Sequence, residues 1–469
     1  MKKSILGAMV AIACAAGNAN AMTELDDQQL SQVEGQALFN LTSTADASQN
    51  LNFFKLGLGA VMELNSNIKS LQLGCGGSNG SGGCDIDIGN LSLSGKAVNG
   101  SRVDTSAQLT NPFIEFAIKG KSAATREVEG FRLGAESILG LLSLGAENID
   151  NPSDGLRSFS GYMQVSGTNG STKTVPTNFG AVAGQEVKGS VKVLGGNHKI
   201  MTNLAATAGK GFAMPEMTAN FEIGAFTLTG KRQTVVKPPS VVASVGDIIL
   251  SEDSGSIVVD LRKENNINEP DNVLWVNDVT FFMGKNGGGT CKEALWADVC
   301  WSGKYNDTKT AIRNLKIDVE FTQALSMIHN IELDGNGGYL SLQKSAIKWL
   351  GANSDDIAQP GWWMSFAKPV QLGTLDVIQA TSIEDVLPQV ASQVSDWLLA
   401  NRITVSTGGA VGSAFGLPIK QNVGLQDPND PNLRYIDLSN SPHAKLALGS
   451  QILANQNVIP NCYGGMKFC

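Results

Sequence analysis

Two stretches far apart in the chain, DIGNLSLSGK at residues 87–96 and EIGAFTLTGK at residues 222–231, spell one pattern: acid, Ile, Gly, any residue, apolar, hydroxyl, Leu, hydroxyl, Gly, Lys. Apolar and hydroxyl side chains at period two divide between opposite faces of an extended backbone, so each word predicts a strand with one face turned inward. LGAES from Leu133 and LGAEN from Leu144 form a second repeat, and DGNGGYLSLQKS from Asp334 joins a Gly-rich segment, read as a hairpin turn, to another alternating run. Its first residues resemble a calcium loop, but position twelve is Ser345 where that loop needs Glu. With 53 Gly and only 17% charged residues among 469, the composition suits a turn-rich β protein, and 42% apolar residues suffice for a core.

The amino terminus carries Lys2 and Lys3, an apolar run from Ile5 to Ala16, and Ala19-Asn20-Ala21, the three parts of a secretory signal peptide over residues 1–21. A lipoprotein signal at Cys14 is the competing reading, but that Cys lies inside the apolar run. Removing the leader takes the formal net charge from −8 to −10 and leaves no run long enough for a membrane helix. An acidic exported chain without a basic tract is not a nucleic-acid binder.

Six Cys remain after Cys14 leaves, in close couples: Cys75 with Cys84, Cys291 with Cys300, Cys462 with Cys469. Short loops lose the least entropy on closure and export meets an oxidising compartment, so three sequential disulfides are expected. Zinc would need C-x-x-C pairs or His nearby, and neither is present; no cofactor is expected. VVKPPS at 235–240 reads as an extended connector. All seven Trp follow it, which suggests a first β domain over 49–234 and a second over 241–469 with a differently built core. In the second, Ser382 and Asp385 form a capping box and Val386, Val390, Val394, Trp397 and Leu398 recur at helical spacing, predicting a helix over 382–401 with Pro388 disturbing its first turn. The fold expected is mainly β, an elongated two-part sheet or sandwich protein with Gly-rich turns, a short amino-terminal helix and this one amphipathic helix.

The amino-terminal helix belongs to a lead-in segment, 22–48, in which Thr23 and Asp26 make a capping box and Gly35 fits the stop. Its sequence, ELDDQQLSQVEGQ, resembles the mature start of the FilA-like proteins, exported β-rich proteins that accompany pilus-like export systems, and DGNGGYLSL resembles their internal strands. The resemblance implies a cell-surface or filament-associated role, with pilus assembly or outer-membrane export components as partners, and no catalytic residue. If the chain joins a filament, the segment after Gln36 is placed to add to a neighbour's sheet edge.

Chemistry-bearing constellations are sparse. GGSNG at 76–80 matches G-x-S-x-G around Ser78 but lacks the strand and helix that a nucleophile elbow needs. Asp85 and Asp87 share a strand face in CDIDIG, which raises a carboxylate or cation site against the commoner solvated face. QPGWWM, with Trp362 and Trp363 on opposite faces of a strand, offers at most one exposed aromatic for a surface polymer or a partner protein; packing of both in the core is the alternative. The reading is of a non-enzymatic structural or adhesive protein of the cell surface. A secreted or periplasmic binder of glycan or apolar ligands stands second, and a hydrolase last.

Overall fold

A computed structural model describes residues 39–76, 83–97, 101, 103–120, 122–179, 184, 185, 187–193, 196–201, 212–250, 257–259, 279–282, 291–294, 297–300, 309–405, 407 and 419–461. Residues 1–21, expected as a leader, the segment from Thr23 to Gly35, Ser78, Trp275, Trp296, Trp301 and the Cys462, Cys469 couple lie outside them.

The protein is mainly β. The strands that matter here are β1 (Phe39–Asp46), β2 (Leu51–Leu58), β3 (Val61–Leu64), β4 (Ser66–Leu73), β5 (Ile86–Ser94), β6 (Ala107–Lys119), β7 (Glu127–Ser143), β8 (Leu156–Val165) and β9 (Thr168–Lys173). They are followed by β10 (Thr218–Ile223), β11 (Phe226–Gln233), β12 (Val241–Ser244), β13 (Lys316–Phe321), β14 (Asn330–Gln343), β15 (Gly361–Phe366), β16 (Leu375–Asp376), helix α1 (Leu387–Ala400) and β17 (Ala444–Leu448). The first strand thus begins in the segment read as a lead-in.

An 11-stranded sheet runs β1-β2-β6-β7-β14-β15-β8-β5-β4, with β3 also on β6 and β11 also on β8. Because β5 pairs with β7 as well as β8, the strands β7, β14, β15, β8 and β5 close into a ring. Inside it lie Ile86, Ile88, Phe159, Met163, Ile331, Leu333 and Phe366, all buried. The long β7 makes this possible: one of its edges follows β6 as far as Leu139, then β5 from Leu141. Gly140 sits at the changeover, where a Cβ would come within 2.7 Å of both Ala107 and the Ser94 carbonyl. Only glycine lets the three backbones meet there.

A six-stranded sheet, β16-β9-β10-β12-β13-β17, is covered by α1 through Leu387, Val390, Val394 and Leu398, with Val386 just before the helix. The β8/β11 and β9/β10 pairs are one antiparallel ribbon: Val165 faces Phe226 and Thr168 faces Ile223 without a register break, and the ribbon passes from one sheet to the other across Ser166-Gly167 and Gly224-Ala225.

That topology corrects several expectations. The sheets do not divide at residues 235–240, since β14 and β15 complete the ring of earlier strands while β9 and β10 enter the six-stranded sheet. Val236 is buried in the ring core, and Trp349 and Trp363 pack against Phe53, Ala117 and Tyr162 from the first half. The repeated word is one continuous strand with a kink at Asn90 (φ 51°) in its first copy, and the ribbon's crossing point in its second. DGNGG is no turn: β14 runs through it with two register breaks, around Gly335 at φ 75°. A glycine bulge bends a strand without ending it. LGAES lies inside β7, whereas LGAEN begins just past its end, where Gly145 at φ 82° turns the chain.

Helix α1 begins at Leu387, five residues later than its capping box suggests. Ser382 Oγ accepts a bond from the Glu384 amide, a local turn, and Pro388 then occupies the first helical turn where its missing N–H is harmless. Cys75 and Cys84 are bridged across the β4–β5 connection, and Cys291 lies opposite Cys300 in an antiparallel pair of four-residue strands. No helix among the described residues is long and apolar enough to cross a membrane, which leaves strands aside.

Candidate interaction surface

Beyond the ring, β7 continues outward into β6, β2 and β1, and the ring's inner face continues with it. One row of directly opposed residues reads Leu41, Leu56, Ile114, Leu133, Leu340, Met364 across six strands. The next reads Phe54, Phe116, Phe131, Leu342, Trp362 across five. Cross-strand neighbours on one face touch, so these rows form an apolar ladder. Phe131 meets Phe116 at 6.4 Å and stands edge-on to Trp362 at 6.1 Å between ring centroids.

The ladder loses its cover step by step. Leu340, Met364 and Trp362 are half-buried against the ring core, Leu133 and Ile114 are 44% and 46% exposed, and Leu41 on β1 is 74% exposed. Closure of the ring ends at Gly140, and among the described residues no facing strand reaches the outer part of the sheet. Seven large side chains on this face (Phe39, Leu41, Leu56, Ile114, Phe116, Val128 and Leu133) are each more than 40% exposed. Together they present on the order of 700 Å², above the largest apolar patch of an ordinary monomer at about 300–600 Å².

On β2, β6 and β7 the opposite face is covered. Glu115 and Arg132, opposed on β6 and β7, form a buried ion pair, and the guanidinium also bonds the Leu350 carbonyl at 2.7 Å. It lies 5.0–5.2 Å from the rings of Phe113, Tyr339 and Trp349. The segment between β14 and β15 closes over this layer and brings Asp356, 1% exposed, to three donors: Tyr339 Oη at 2.7 Å, Trp363 Nε1 at 3.0 Å and Ser365 Oγ at 2.6 Å. Burial, then the Asp356 charge, push the Tyr339 phenol far above its ordinary range.

Trp362 and Trp363 therefore do lie on opposite faces, with different fates. Trp363 is 1% exposed and holds Asp356, so it has no surface for a partner; the reading of Trp363 as a binding residue is corrected. Trp362 is half-buried at the ladder's inner end. Asp85 is buried rather than solvated: it accepts from Arg232 Nε at 3.2 Å and from the Trp362 amide at 3.1 Å, anchoring the strand that carries the Trp. Asp87 pairs with Arg157 at 2.6 Å. Each carboxylate is thus engaged by its own arginine.

Glu115, Arg132 and Asp356 carried no signal in the sequence, because nothing local marks a charge whose partner is strands away. Two apolar cavities among the described residues, one between the ring core and the six-stranded sheet and one under α1, are each about 30 Å³, against the several hundred of a ligand pocket.

His329 is fully buried with Nδ1 2.8 Å from the Leu144 carbonyl, a contact in which Nδ1 carries the proton. Burial pulls its pKa below the ordinary value, against the opposing effects of that carbonyl and of Asp154. The folded chain then stays neutral at pH values where the unfolded chain takes up a proton. Stability from this residue is complete above about pH 6.5 and falls as pH drops below it, by at most about 1.4 kcal/mol per pH unit. Denaturant midpoints measured from pH 8 to pH 5.5 are expected to decline, and His329→Asn, which keeps a donor towards Leu144, to flatten the decline.

No family model, curated protein or solved structure matches the chain.

Proposed function

We propose that this chain is an exported protein of the bacterial cell surface, structural or adhesive in role, and a component or accessory of a pilus-like filament. The observation that carries this reading is the apolar ladder, which runs from the core to the edge strand β1 and leaves a patch of interface size on one face. Such a face serves contact with another macromolecule and assigns the chain no reaction. The FilA-like start of the mature chain supports the same role and points to filament or outer-membrane export components as partners. Trp362, aromatic and partly open, is the residue we expect to anchor such contact. Binding of a glycan or apolar ligand ranks second, since no observation on this face favours a small ligand over a macromolecule.

The test is labelling of intact cells that express the full chain with a membrane-impermeant reagent, beside cells with a permeabilised outer membrane. Labelling of intact cells is the expected result. Labelling only after permeabilisation would overturn a surface role and favour the periplasmic alternative.

A further inference from the structure

We propose that two copies of the chain join edge to edge through β1, antiparallel, so that their sheets and apolar ladders become continuous. Strand β1 bonds β2 along one side only; among the described residues no strand pairs with its other side, and seven of its eight residues are exposed. A row of free N–H and C=O groups on an extended strand is a template for another strand. Proteins that must stay apart guard such edges with Lys, Pro, a bulge or a covering segment. FNLTSTAD contains no Lys, Pro or bulge, no segment covers it among the described residues, and its pairing with β2 runs without a register shift.

The opposite edge of the sheet shows what guarding looks like here. Strand β4 carries Lys69 at its centre. Asn461, near the end of the chain, lies alongside: its carbonyl accepts from Asn67 at 3.1 Å and its amide donates to Asn65 at 3.1 Å. Among the described residues, one edge is protected and the other is not.

The occupant best matched to β1 is β1 itself. With a two-fold axis at Thr42, Thr42 faces Thr42, Leu41 faces Ser43, Asn40 faces Thr44 and Phe39 faces Ala45. Opposed residues of an antiparallel pair share a face, so each copy's apolar side meets the other's. The large Phe39 falls beside the small Ala45, Thr–Thr pairs are favourable, and Asp46, the strand's one charge, lies beyond the last pair. Two-fold pairing of one patch with itself is also the commonest way for identical chains to associate. An edge contact buries less than a standard interface and sits with weak, transient ones, so the dimer is reversible. The proposal deepens the assembly reading above and rests on it only for its consequence in the cell, because pairing is measured on purified protein.

Sedimentation velocity of the full exported chain over a hundredfold concentration range is expected to show a monomer–dimer equilibrium. Thr42→Lys should stay monomeric with an unchanged melting temperature, since Thr42 is exposed. Independently, Thr42→Cys treated with a short bis-maleimide should give covalent dimer at least tenfold faster than Lys69→Cys on the guarded edge. A wild-type chain that sediments as the Lys variant does, a dimer indifferent to that variant, or equal crosslinking at both sites overturns the proposal. A monomeric chain that still labels on intact cells sinks β1 pairing while leaving the surface role standing; a β1 dimer confined to the periplasm does the reverse.

Discussion

Replacing Glu115 with Ala is expected to cost about 3–5 kcal/mol, the range for stranding one partner of a buried ion pair. Arg132 is 5% exposed and enclosed by three aromatic rings, so without Glu115 its charge keeps only the Leu350 carbonyl and the ring faces. Removing both charges has a different result. A Glu115→Leu, Arg132→Met double variant leaves no unpaired charge and should recover most of the loss, because a buried pair returns little more than its own desolvation. Chemical denaturation of the wild type, the single and the double variant measures this directly. If Glu115→Ala unfolds within about 1 kcal/mol of wild type, water reaches the guanidinium and the layer is not sealed.

The second large effect separates adjacent residues. Trp363→Ala should cost about 3–5 kcal/mol, since it empties a fully buried indole site and leaves Asp356 without one of its three donors. Trp362→Ala should cost only about 1–2 kcal/mol, because the residue is only half-buried and its aromatic contact is Phe131. The pair of denaturation curves is decisive for the ladder as a binding surface. A Trp362 variant that stays folded yet loses contact with its partner supports the surface; one as unstable as Trp363→Ala makes Trp362 a core residue.

How much of this was legible beforehand depends on how local each signal is. Alternation in DIGNLSLSGK and in the words around Trp362 and Trp363 predicts strands and opposite faces, and both are found, because pleating is a property of the chain itself. The Cys75–Cys84 bridge closes a short loop and was equally readable, as was the apolar stripe of α1. The capping box at Ser382 misled by five residues because its side chain serves a turn just before the helix. A proline-rich connector and a cluster of Trp suggested two domains in series, yet β14 pairs with β7 from the far side of that connector.

What the sequence alone determined is therefore the division of each strand into two faces, the local bridge and the presence of a helix. It left undecided which face of a strand would be covered, since period two is symmetrical and burial depends on what closes over the sheet. The tertiary structure decided that at Gly140, where β7 changes partner: strands on one side close into a ring around their apolar face, and on the other side the same face stays open as far as β1. Pairing between strands two hundred residues apart is set by register and loop closure across the whole chain, and no short word in the sequence records it.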